Sequence, residues 1–446
     1  MMSPGGQTMR IGYGDISGSP NAPAGTAIFG YREGGVLVSE AGVPASGLIQ
    51  QGRINAEVAG VVNTGFAVAN PNSSPATISF YFTDANGSNV GSGSTTIPAG
   101  GQMSKFLNEA PYNGPQMSSG TFTFNSNVPV GAIALRGYTN ERSNFLVTTL
   151  PIADLSNQVS GTLFFPHFAW GGGWATQFDL VNPTDATVSG TLRFYEQGAV
   201  GSQAPAMSLS INGQTVSSVS YSIPAHGAMK FSTTGQDSNI HVGSAAVLPA
   251  QGSSAPSGNA VFSFTENGVR VSEAGVPLQS TGTTFRMYVE SSAAIQSGIA
   301  VLNTGSNDEQ VSFDVTSLNG ASTGLQGSLT VPAGGQRSLF INQIRGLASL
   351  PQSFKGIVRV TTVDKAGIVV FGLRGRWNER NEFLVTTTTP VNEAETPRSV
   401  TVFPHIVDGG GYTTQFIEFS GTSAEPASGN LQLYSQSGSS MSMSLQ

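Results

Sequence analysis

The chain has 446 residues, with 57 glycines, 24 prolines and no cysteine, and only 10% of its side chains are charged. So much glycine and proline is unfavourable in helices, which excludes a compact α-helical protein. The lack of cysteine excludes disulfides, thiolate catalysis and cysteine-ligated metal sites. The net charge of −7 and the scattered basic residues argue against nucleic acid or an anionic membrane surface as a partner. No apolar run is long enough to span a bilayer.

Phrases from the first half of the chain return in the second half, in the same order. VLVSEAGVP at Val36–Pro44 returns as VRVSEAGVP at Val269–Pro277, and IPAGGQ at 97–102 returns as VPAGGQ at 331–336. NERSNFLVTT from Asn140 returns as NERNEFLVTT from Asn378, and FPHFAWGGGWATQF from Phe165 returns as FPHIVDGGGYTTQF from Phe403. The chain therefore contains a repeat of about 235 residues.

Short runs in which apolar and polar residues alternate fill each repeat, in chain order at 77–82, 191–194, 311–315 and 356–360. A period of two residues is typical of half-buried strands. Asn-Gly pairs at 86–87, 212–213, 267–268 and 319–320 suit the positive φ angles of tight hairpin turns. Strands at this spacing predict two-sheet antiparallel sandwiches.

We therefore predict an all-β chain built as a tandem array of antiparallel β-sandwich modules. Three modules are complete: A at 49–158, B at 159–281 and A′ at 282–396. The ends, 1–48 and 397–446, are predicted to be partial sandwiches.

This organisation resembles the tandem immunoglobulin-like β-sandwich repeats of secreted and cell-surface bacterial proteins. The resemblance rests on the architecture and on repeat phrases such as FPHFAWGGGWATQF. It implies an extracellular or cell-surface location and a structural role. The immunoglobulin Cys-Trp-Cys pattern does not occur.

The two partial sandwiches are complementary parts of a B-type module. The C-terminal part matches only the beginning of B, since SGNLQLYSQSG from Ser428 corresponds to SGTLRFYEQG from Ser189. The N-terminal part matches the rest of B, with PGGQTMRI at 4–11 compared with PAHGAMKF at 224–231. Placed end to end, the two parts make almost one whole B module.

Each half alone would expose apolar side chains and unpaired strand edges, which are templates for adding another chain. We favour complementation between subunits, in which the tail of one chain completes the head of the next and produces a fibre or a ring. Two alternatives are a fragment cut from a longer array and closure of both ends within one chain. The predicted assembly interface consists of Met9, Ile11, Ile28, Phe29, Val36, Val38, Phe403, Leu431, Leu433, Met441, Met443 and Leu445.

His167 and His405 recur in the two FPH phrases, each followed by three glycines and an aromatic residue. A glycine-rich loop beside an aromatic ring is able to bind a sugar face, so Trp170, Trp174 and Tyr412 form a candidate ligand loop. The simpler interpretation is a bent loop whose aromatic ring covers the end of a sandwich. No second ligand stands at metal-binding spacing, and we predict no metal and no cofactor.

Glu141 and Glu379 recur in predicted hairpin turns, where a local ion pair with the neighbouring arginine is the simplest interpretation. Glu40 and Glu273 recur at strand ends, where a carboxylate can hydrogen-bond neighbouring backbone. Catalysis would need a partner group at each repeat, and the sequence offers none. We predict no catalytic residues.

The sequence thus predicts a non-enzymatic extracellular structural protein, the subunit of a filament, tube or surface layer that assembles head to tail with itself. The alternative function is an adhesin or carbohydrate-binding surface protein that contacts surface glycans. Neither function involves nucleic acid or a membrane span.

Overall fold

The computed structural model describes residues 8–18, 21–395, 398–422 and 427–443. The fold is all-β, with 63% strand and 1% helix in several antiparallel sheets, which confirms the all-β part of the predicted fold class. The described residues contain one short 3-10 turn, Ile341–Gln343.

The N-terminal part of the chain forms three strands that do not make a sandwich by themselves. Strands β2 and β3 form an antiparallel hairpin, whereas β1 pairs with neither of them. Their bounds are β1 (Arg10–Gly18), β2 (Ala24–Glu33) and β3 (Val36–Pro44).

Sandwich A follows and consists of two antiparallel sheets joined by one long strand. Strand β10 spans 20 residues; its first half pairs with β4 and β7, and its second half pairs with β6 and β11. The bounds are β4 (Ile49–Asn55), β5 (Val58–Ala59), β6 (Val62–Ala69), β7 (Ala76–Asp84), β8 (Asn89–Ile97), β9 (Gln102–Phe106), β10 (Gly120–Thr139), β11 (Phe145–Leu150) and β12 (Ala153–Asp154).

The alternation predicted for residues 77–82 is visible in β7. Ile78, Phe80 and Phe82 point inward and are buried, whereas Thr77 and Ser79 are exposed. The buried rings pack on Phe66 and Phe122 in the core of sandwich A.

Sandwich B has two four-stranded sheets, in the orders β13-β20-β15-β18 and β19-β14-β21-β22, and a small hairpin, β16-β17. The bounds are β13 (Leu163–Trp170), β14 (Trp174–Val181), β15 (Val188–Glu196), β16 (Leu209–Ile211), β17 (Gln214–Val216), β18 (Ser218–Ile223), β19 (Ala228–Ser232), β20 (His241–Pro249), β21 (Ser257–Glu266) and β22 (Val269–Pro277).

The strand order of sandwich B differs from that of an immunoglobulin domain. In the immunoglobulin fold the first and second strands are neighbours in one sheet. Here the first main strand, β13, pairs with β20, and the second, β14, lies in the other sheet. Sandwich A has the same order as B, with β4 in the place of β13 and β6 in the place of β14.

Sandwich A′ repeats the arrangement of A, with two sheets connected by a single β23–β24 pair at Ser291 and Gln296. The bounds are β23 (Thr284–Ser291), β24 (Ile295–Asn303), β25 (Glu309–Ser317), β26 (Ser322–Val331), β27 (Gln336–Phe340), β28 (Phe354–Thr362), β29 (Ile368–Trp377), β30 (Phe383–Thr388) and β31 (Val391–Asn392).

The C-terminal strands β32 (Val400–Asp408), β33 (Tyr412–Phe419) and β34 (Gly429–Ser435) complete a fourth sandwich, B′, with the N-terminal strands of the same chain. Strand β1 lies between β32 and β34, and β33 pairs with β2. The complementary halves predicted from the sequence therefore meet within one chain, which was the third of the three alternatives.

One detail of the predicted match is wrong. The sequence comparison aligned residues 4–11 with the corner and strand β19 of sandwich B. Arg10 and Ile11 instead begin β1, which takes the place of β20 because it pairs with the counterparts of β13 and β15. No strand among the described residues takes the place of β18 or β19 in B′.

The four sandwiches form a closed arrangement rather than an extended string. The solvent-accessible surface is 17601 Å² for a chain of 46.0 kDa. A compact monomer of this mass is expected to expose about 16,000 Å². The chain exposes only about a tenth more surface than that, and the contacts of β3 with β30 and of β11 with β22 show that the sandwiches bury surface against one another.

Candidate functional site

One of the last strands of each sandwich runs into a central hub where all four sandwiches meet. Strands β3 and β22 each contact both β11 and β30. The hub is thus formed by the two SEAGVP strands and the two FLVTT strands, which are the repeated phrases of the sequence. We describe this hub as the candidate functional site because it collects most of the repeated polar residues.

Serine side chains join the hub strands through backbone groups. Ser39 Oγ accepts from the Val147 N–H at 2.9 Å, and in the other half of the molecule Ser272 Oγ accepts from Val385 N–H at 2.8 Å. The two contacts are related by the sequence repeat. The halves of the molecule are therefore arranged with approximate twofold symmetry.

Glycines allow the hub strands to approach one another closely. A Cβ atom at Gly42 would lie 1.9 Å from the carbonyl oxygen of Thr387, and one at Gly275 would lie 2.5 Å from that of Thr149. Both distances are far below van der Waals contact. The glycine of each SEAGVP phrase is thus required by packing between sandwiches.

A buried ion pair connects sandwiches A and B. Arg136 of β10 pairs with Glu273 of β22, and the side chains are 5% and 1% exposed. The second oxygen of Glu273 accepts from Arg270 at 2.9 Å, and Glu57 lies 3.9 Å from Arg136. Burial alone would lower the pKa of Arg136, but the neighbouring carboxylates of Glu273 and Glu57 raise it above its ordinary value.

The repeat-related ion pair connects A′ and B′. Arg374 of β29 pairs with Glu40 of β3, and Glu290 accepts from the same guanidinium at 3.2 Å. Glu40 also accepts from Arg376 at 2.9 Å. Burial would lower the pKa of Arg374, whereas Glu40 and Glu290 raise it. Each repeated glutamate thus receives two arginines.

Sequence reasoning did not find these pairs. It assigned Glu40 and Glu273 to local backbone hydrogen bonds, because the residues flanking them in the sequence offered no partner. The arginines reach the carboxylates from a different sandwich, and Arg374 is 334 residues away from Glu40. The repetition of Arg136 and Arg374 at equivalent positions was the available signal.

The repeated asparagine and glutamate of the NER phrases clamp one backbone unit of the neighbouring sandwich. Asn140 donates to the carbonyl oxygen of Arg270 at 2.9 Å, and Glu141 accepts from the N–H of the same residue at 2.8 Å. In the other half, Asn378 donates to Leu37 O at 3.0 Å and Glu379 accepts from Leu37 N–H at 2.8 Å.

Hydrogen bonds keep the clamp carboxylates ionised. Burial would raise the pKa of Glu379, but the Leu37 N–H and the Arg32 guanidinium lower it to about 2. The pKa of Glu141 is also lowered, chiefly by the Arg270 N–H acting against burial. The predicted local ion pairs are wrong, because Glu379 pairs with Arg32 of B′ at 2.7 Å and Arg142 pairs with Glu382 of the other hairpin.

The two repeated histidines lie at interfaces between sandwiches. Gln336 of A′ lies 3.0 Å from His167 Nδ1 of sandwich B, and Gln102 of A lies 3.4 Å from His405 Nδ1 of B′. Burial lowers the pKa of both imidazoles to about 4. The histidines are therefore neutral near pH 7, and each faces the glutamine of a repeated Pro-Ala-Gly-Gly-Gln corner.

The aromatic residues of the candidate ligand loops stack on rings of their own chain. Trp170 is 9% exposed and stacks on His241 at 4.4 Å between ring centroids. Trp174 stacks on Phe264 at 4.8 Å and Tyr412 on Tyr31 at 4.5 Å. These contacts are those of rings that cover the end of a sandwich.

Most of the predicted assembly residues lie in the core of B′ or at its borders. Ile28, Phe29, Val38 and Phe403 are buried, whereas Met9 is 49% exposed. Leu445 lies outside the described residues. The others are half-buried side chains of the same sandwich: Ile11, Val36, Leu431, Leu433, Met441 and Met443.

A further polar cluster between A and B was not predicted. Asp179 is 2% exposed, and Gln177 donates to its two carboxylate oxygens at 3.0 and 2.9 Å. Within the described part of the chain, no cationic side chain lies within 4.0 Å of this carboxylate; Lys230 pairs with Glu57 instead. Burial raises the pKa of Asp179 to about 6, against the lowering effect of Lys230. The counterpart in B′ is Ile417, which packs on Tyr288 and Phe419.

The described residues contain no group of three or more histidine, aspartate or glutamate side chains placed to hold a metal ion. Nor does any helix among them have the length and apolar character needed to cross a bilayer. No protein-family model matches the chain, and the comparison with curated proteins finds no match.

Proposed function

We propose that the protein is a non-enzymatic, extracellular structural protein, a closed four-sandwich unit of a filament, tube or surface layer. We further propose that the unit arose from tandem repeats of sandwich modules. The presence of only four lysines and the abundance of serine, threonine, glycine and asparagine support an extracellular or cell-surface location.

One observation carries the proposal: what the two halves of the chain have in common is a set of contacts between sandwiches. The repeated ion pairs, backbone clamps, serines and histidine–glutamine contacts all join one sandwich to another. A repeated catalytic centre would instead place an acid, base or nucleophile in an open cleft. The chemistry shared by the repeats is used to hold the unit together.

Negative-stain microscopy of the purified chain over a range of concentrations tests the structural role. We expect four-lobed particles at low concentration and ordered fibres, tubes or layers at high concentration. Particles that stay isolated under every condition would contradict a role as an assembling subunit. Hydrolysis of a glycan or peptide that is abolished by Glu141→Gln or His167→Gln would contradict the non-enzymatic assignment.

A groove on sandwich B favours a second candidate function, the binding of surface glycans. It has a volume of about 820 Å³ and includes Glu196, Gln197, Gln203 and His241 in its lining. The corresponding loop of B′ is shorter, since only five residues separate Ser435 from Met441, against ten between Glu196 and Met207. Binding to a glycan array that is lost in Gln203→Ala and kept in Gln436→Ala would favour this function.

A further inference from the structure

We propose that the C-terminal half of sandwich B′, residues 398–443, exchanges between two copies of this chain, so that the tail of one copy completes the B′ sandwich of the next. The inference deepens the proposed structural function and rests on it. The unit opens at the joint between the two halves of B′, and a second copy of the chain occupies the opened joint.

Sandwich B′ is built from two separate parts of the chain. Strand β1 is held on one side by β32 and on the other by β34, and β2 is held by β33, so removal of the tail takes away both neighbours of β1. The join is non-covalent, and the chain has no cysteine to lock it. Sandwiches A, B and A′ each consist of continuous chain and stay intact when B′ opens.

Sandwich B′ is packed more loosely than B at equivalent positions. Phe178, Leu192 and Phe194 of sandwich B are completely buried. Their counterparts in B′, Phe416, Leu431 and Leu433, are only partly buried. The described part of B′ has no counterpart of β18 or β19 to cover these side chains. Opening B′ therefore exposes less previously buried apolar surface to solvent than opening B would.

The two halves of B′ are anchored differently to the neighbouring sandwiches. The N-terminal half is fixed in the hub by the Glu40–Arg374 ion pair and by the clamp on Leu37. The C-terminal half contacts its neighbours through hydrogen bonds to backbone carbonyls, such as Gln102 to Pro404 O at 3.3 Å and Arg286 to Ser420 O at 3.4 Å, and through apolar contacts such as Ile417 on Tyr288. The tail is thus the half that leaves while the hub persists.

A second copy is the partner that fits, because it supplies the same strands in the same register and with the same core side chains. Every contact of the closed B′ can form again between copies, so closed and exchanged forms differ mainly in concentration dependence. A reciprocal exchange gives a dimer, whereas passing each tail to the next copy gives a chain. A dimer and a chain are therefore both expected products of exchange at this joint.

Cysteine pairs placed across the joint test the exchange directly. Ser17 and Asn430 are exposed register partners on β1 and β34, and antiparallel partners have Cα atoms about 4.5–5.5 Å apart, within disulfide range. Full-length Ser17→Cys and Asn430→Cys single variants are mixed, concentrated and oxidised. We expect a disulfide-linked heterodimer on a non-reducing gel, in an amount that rises with protein concentration.

The matched control uses Thr191→Cys and Ser220→Cys, register partners on β15 and β18 within sandwich B. Mixtures of these single variants are expected to give no specific heterodimer. The double variant S17C/N430C, oxidised while dilute, locks each chain in its closed form and is expected to remain monomeric at high concentration.

The outcomes separate the exchange from the broader function. If the locked double variant still forms ordered assemblies, the exchange is overturned while the structural role stands. If the Ser17 and Asn430 variants never link at concentrations at which the wild-type chain assembles, the exchange is likewise overturned. If the wild-type chain never assembles and the variants never link, both the exchange and the structural role fail.

Discussion

Arg376 donates a 2.9 Å hydrogen bond to Glu40, and the position equivalent to Arg376 in the other half of the molecule is occupied by a tyrosine. The equivalent of Arg376 is Tyr138, and the second arginine for Glu273 is Arg270, whose guanidinium lies 4.4 Å from the Tyr138 ring centroid. The equivalent of Arg270 is Leu37. Each carboxylate therefore pairs with two arginines. The second arginine of Glu40 belongs to the neighbouring sandwich A′, whereas that of Glu273 belongs to the same sandwich B.

This exchange of sides predicts strong coupling between Leu37 and Arg376. Arg376→Tyr removes the second cation from Glu40, and Leu37→Arg adds a third next to Arg374 and Arg376. Each single variant is expected to lose about 1–2 kcal/mol of unfolding free energy, whereas the double variant reproduces the A–B arrangement and recovers at least about 1 kcal/mol. Urea titrations of the four proteins give the coupling energy, and simple additivity would contradict the assignment.

The backbone clamp predicts a measurable cost at Asn378. The Asn378 side chain accepts from two backbone N–H groups of its turn, both at 2.9 Å, and donates to the Leu37 carbonyl in the neighbouring sandwich. Asn378→Ala leaves these buried groups without a partner and is expected to cost about 1–3 kcal/mol. The control Ser220→Ala, on an exposed strand position, is expected to change the urea midpoint little. Equal midpoints for the two variants would show that the clamp does not stabilise the hub.

Close packing at the hub predicts that alanine is poorly tolerated at Gly42. The added methyl group would meet the Thr387 carbonyl and push β3 away from β30, at a cost of about 1–3 kcal/mol. Gly298 of β24 is the matched control, because a Cβ there would meet its nearest atom at 3.4 Å. Thermal denaturation compares the two variants. A Gly298→Ala variant that is the less stable of the pair would refute the argument.

The buried histidines predict a loss of stability on acidification. The folded pKa of about 4 for His167 lies below its ordinary value of 6.5, so the unfolded chain binds more protons between these values. The contribution of the neutral His167 to stability is complete above about pH 6.5 and is lost as the pH falls through 4, to an extent on the order of 3 kcal/mol. His167→Gln is expected to flatten this dependence in urea titrations between pH 7 and 4. An unchanged slope would rule out the neutral buried imidazole.

Asp179 predicts a pH dependence of opposite sign. Its folded pKa of about 6 lies above the ordinary 3.8, so folding is favoured below pH 3.8 and this contribution disappears as the pH rises through 6. Asp179→Asn removes this dependence and is expected to gain stability relative to the wild type above pH 6. The charged neighbours Lys230, Glu57 and Arg136 stay in place. A variant that loses stability equally at all pH values would point to a hydrogen-bonding role instead.

Much of the fold could be predicted from local pattern. Period-two runs such as 77–82 became the alternating strand β7, and the comparison of repeats identified the two halves of B′. These features depend on residues close together in the sequence or on internal similarity, both of which the sequence displays.

The contacts between sandwiches could not be predicted in the same way. The partner of Glu40 is decided by how four modules are arranged in space, and no periodicity encodes that arrangement. Whether the ends met within one chain or between chains was equally open, because the same strands and the same register serve both forms. The error at Arg10 and Ile11 arose because a Pro-Gly-Gly-Gln phrase resembled a corner, while the loop that follows the corner in B is missing there.

The division of B′ between the two ends of the chain also sets the order in which the protein can fold. Strands β1, β2 and β3 are synthesised before β32, β33 and β34, which complete their sandwich more than three hundred residues later. Sandwiches A, B and A′ can each fold as they emerge, whereas β1, β2 and β3 must wait for β32, β33 and β34. During that interval the unpaired edges of β1 and β2 are open to pairing with a wrong partner.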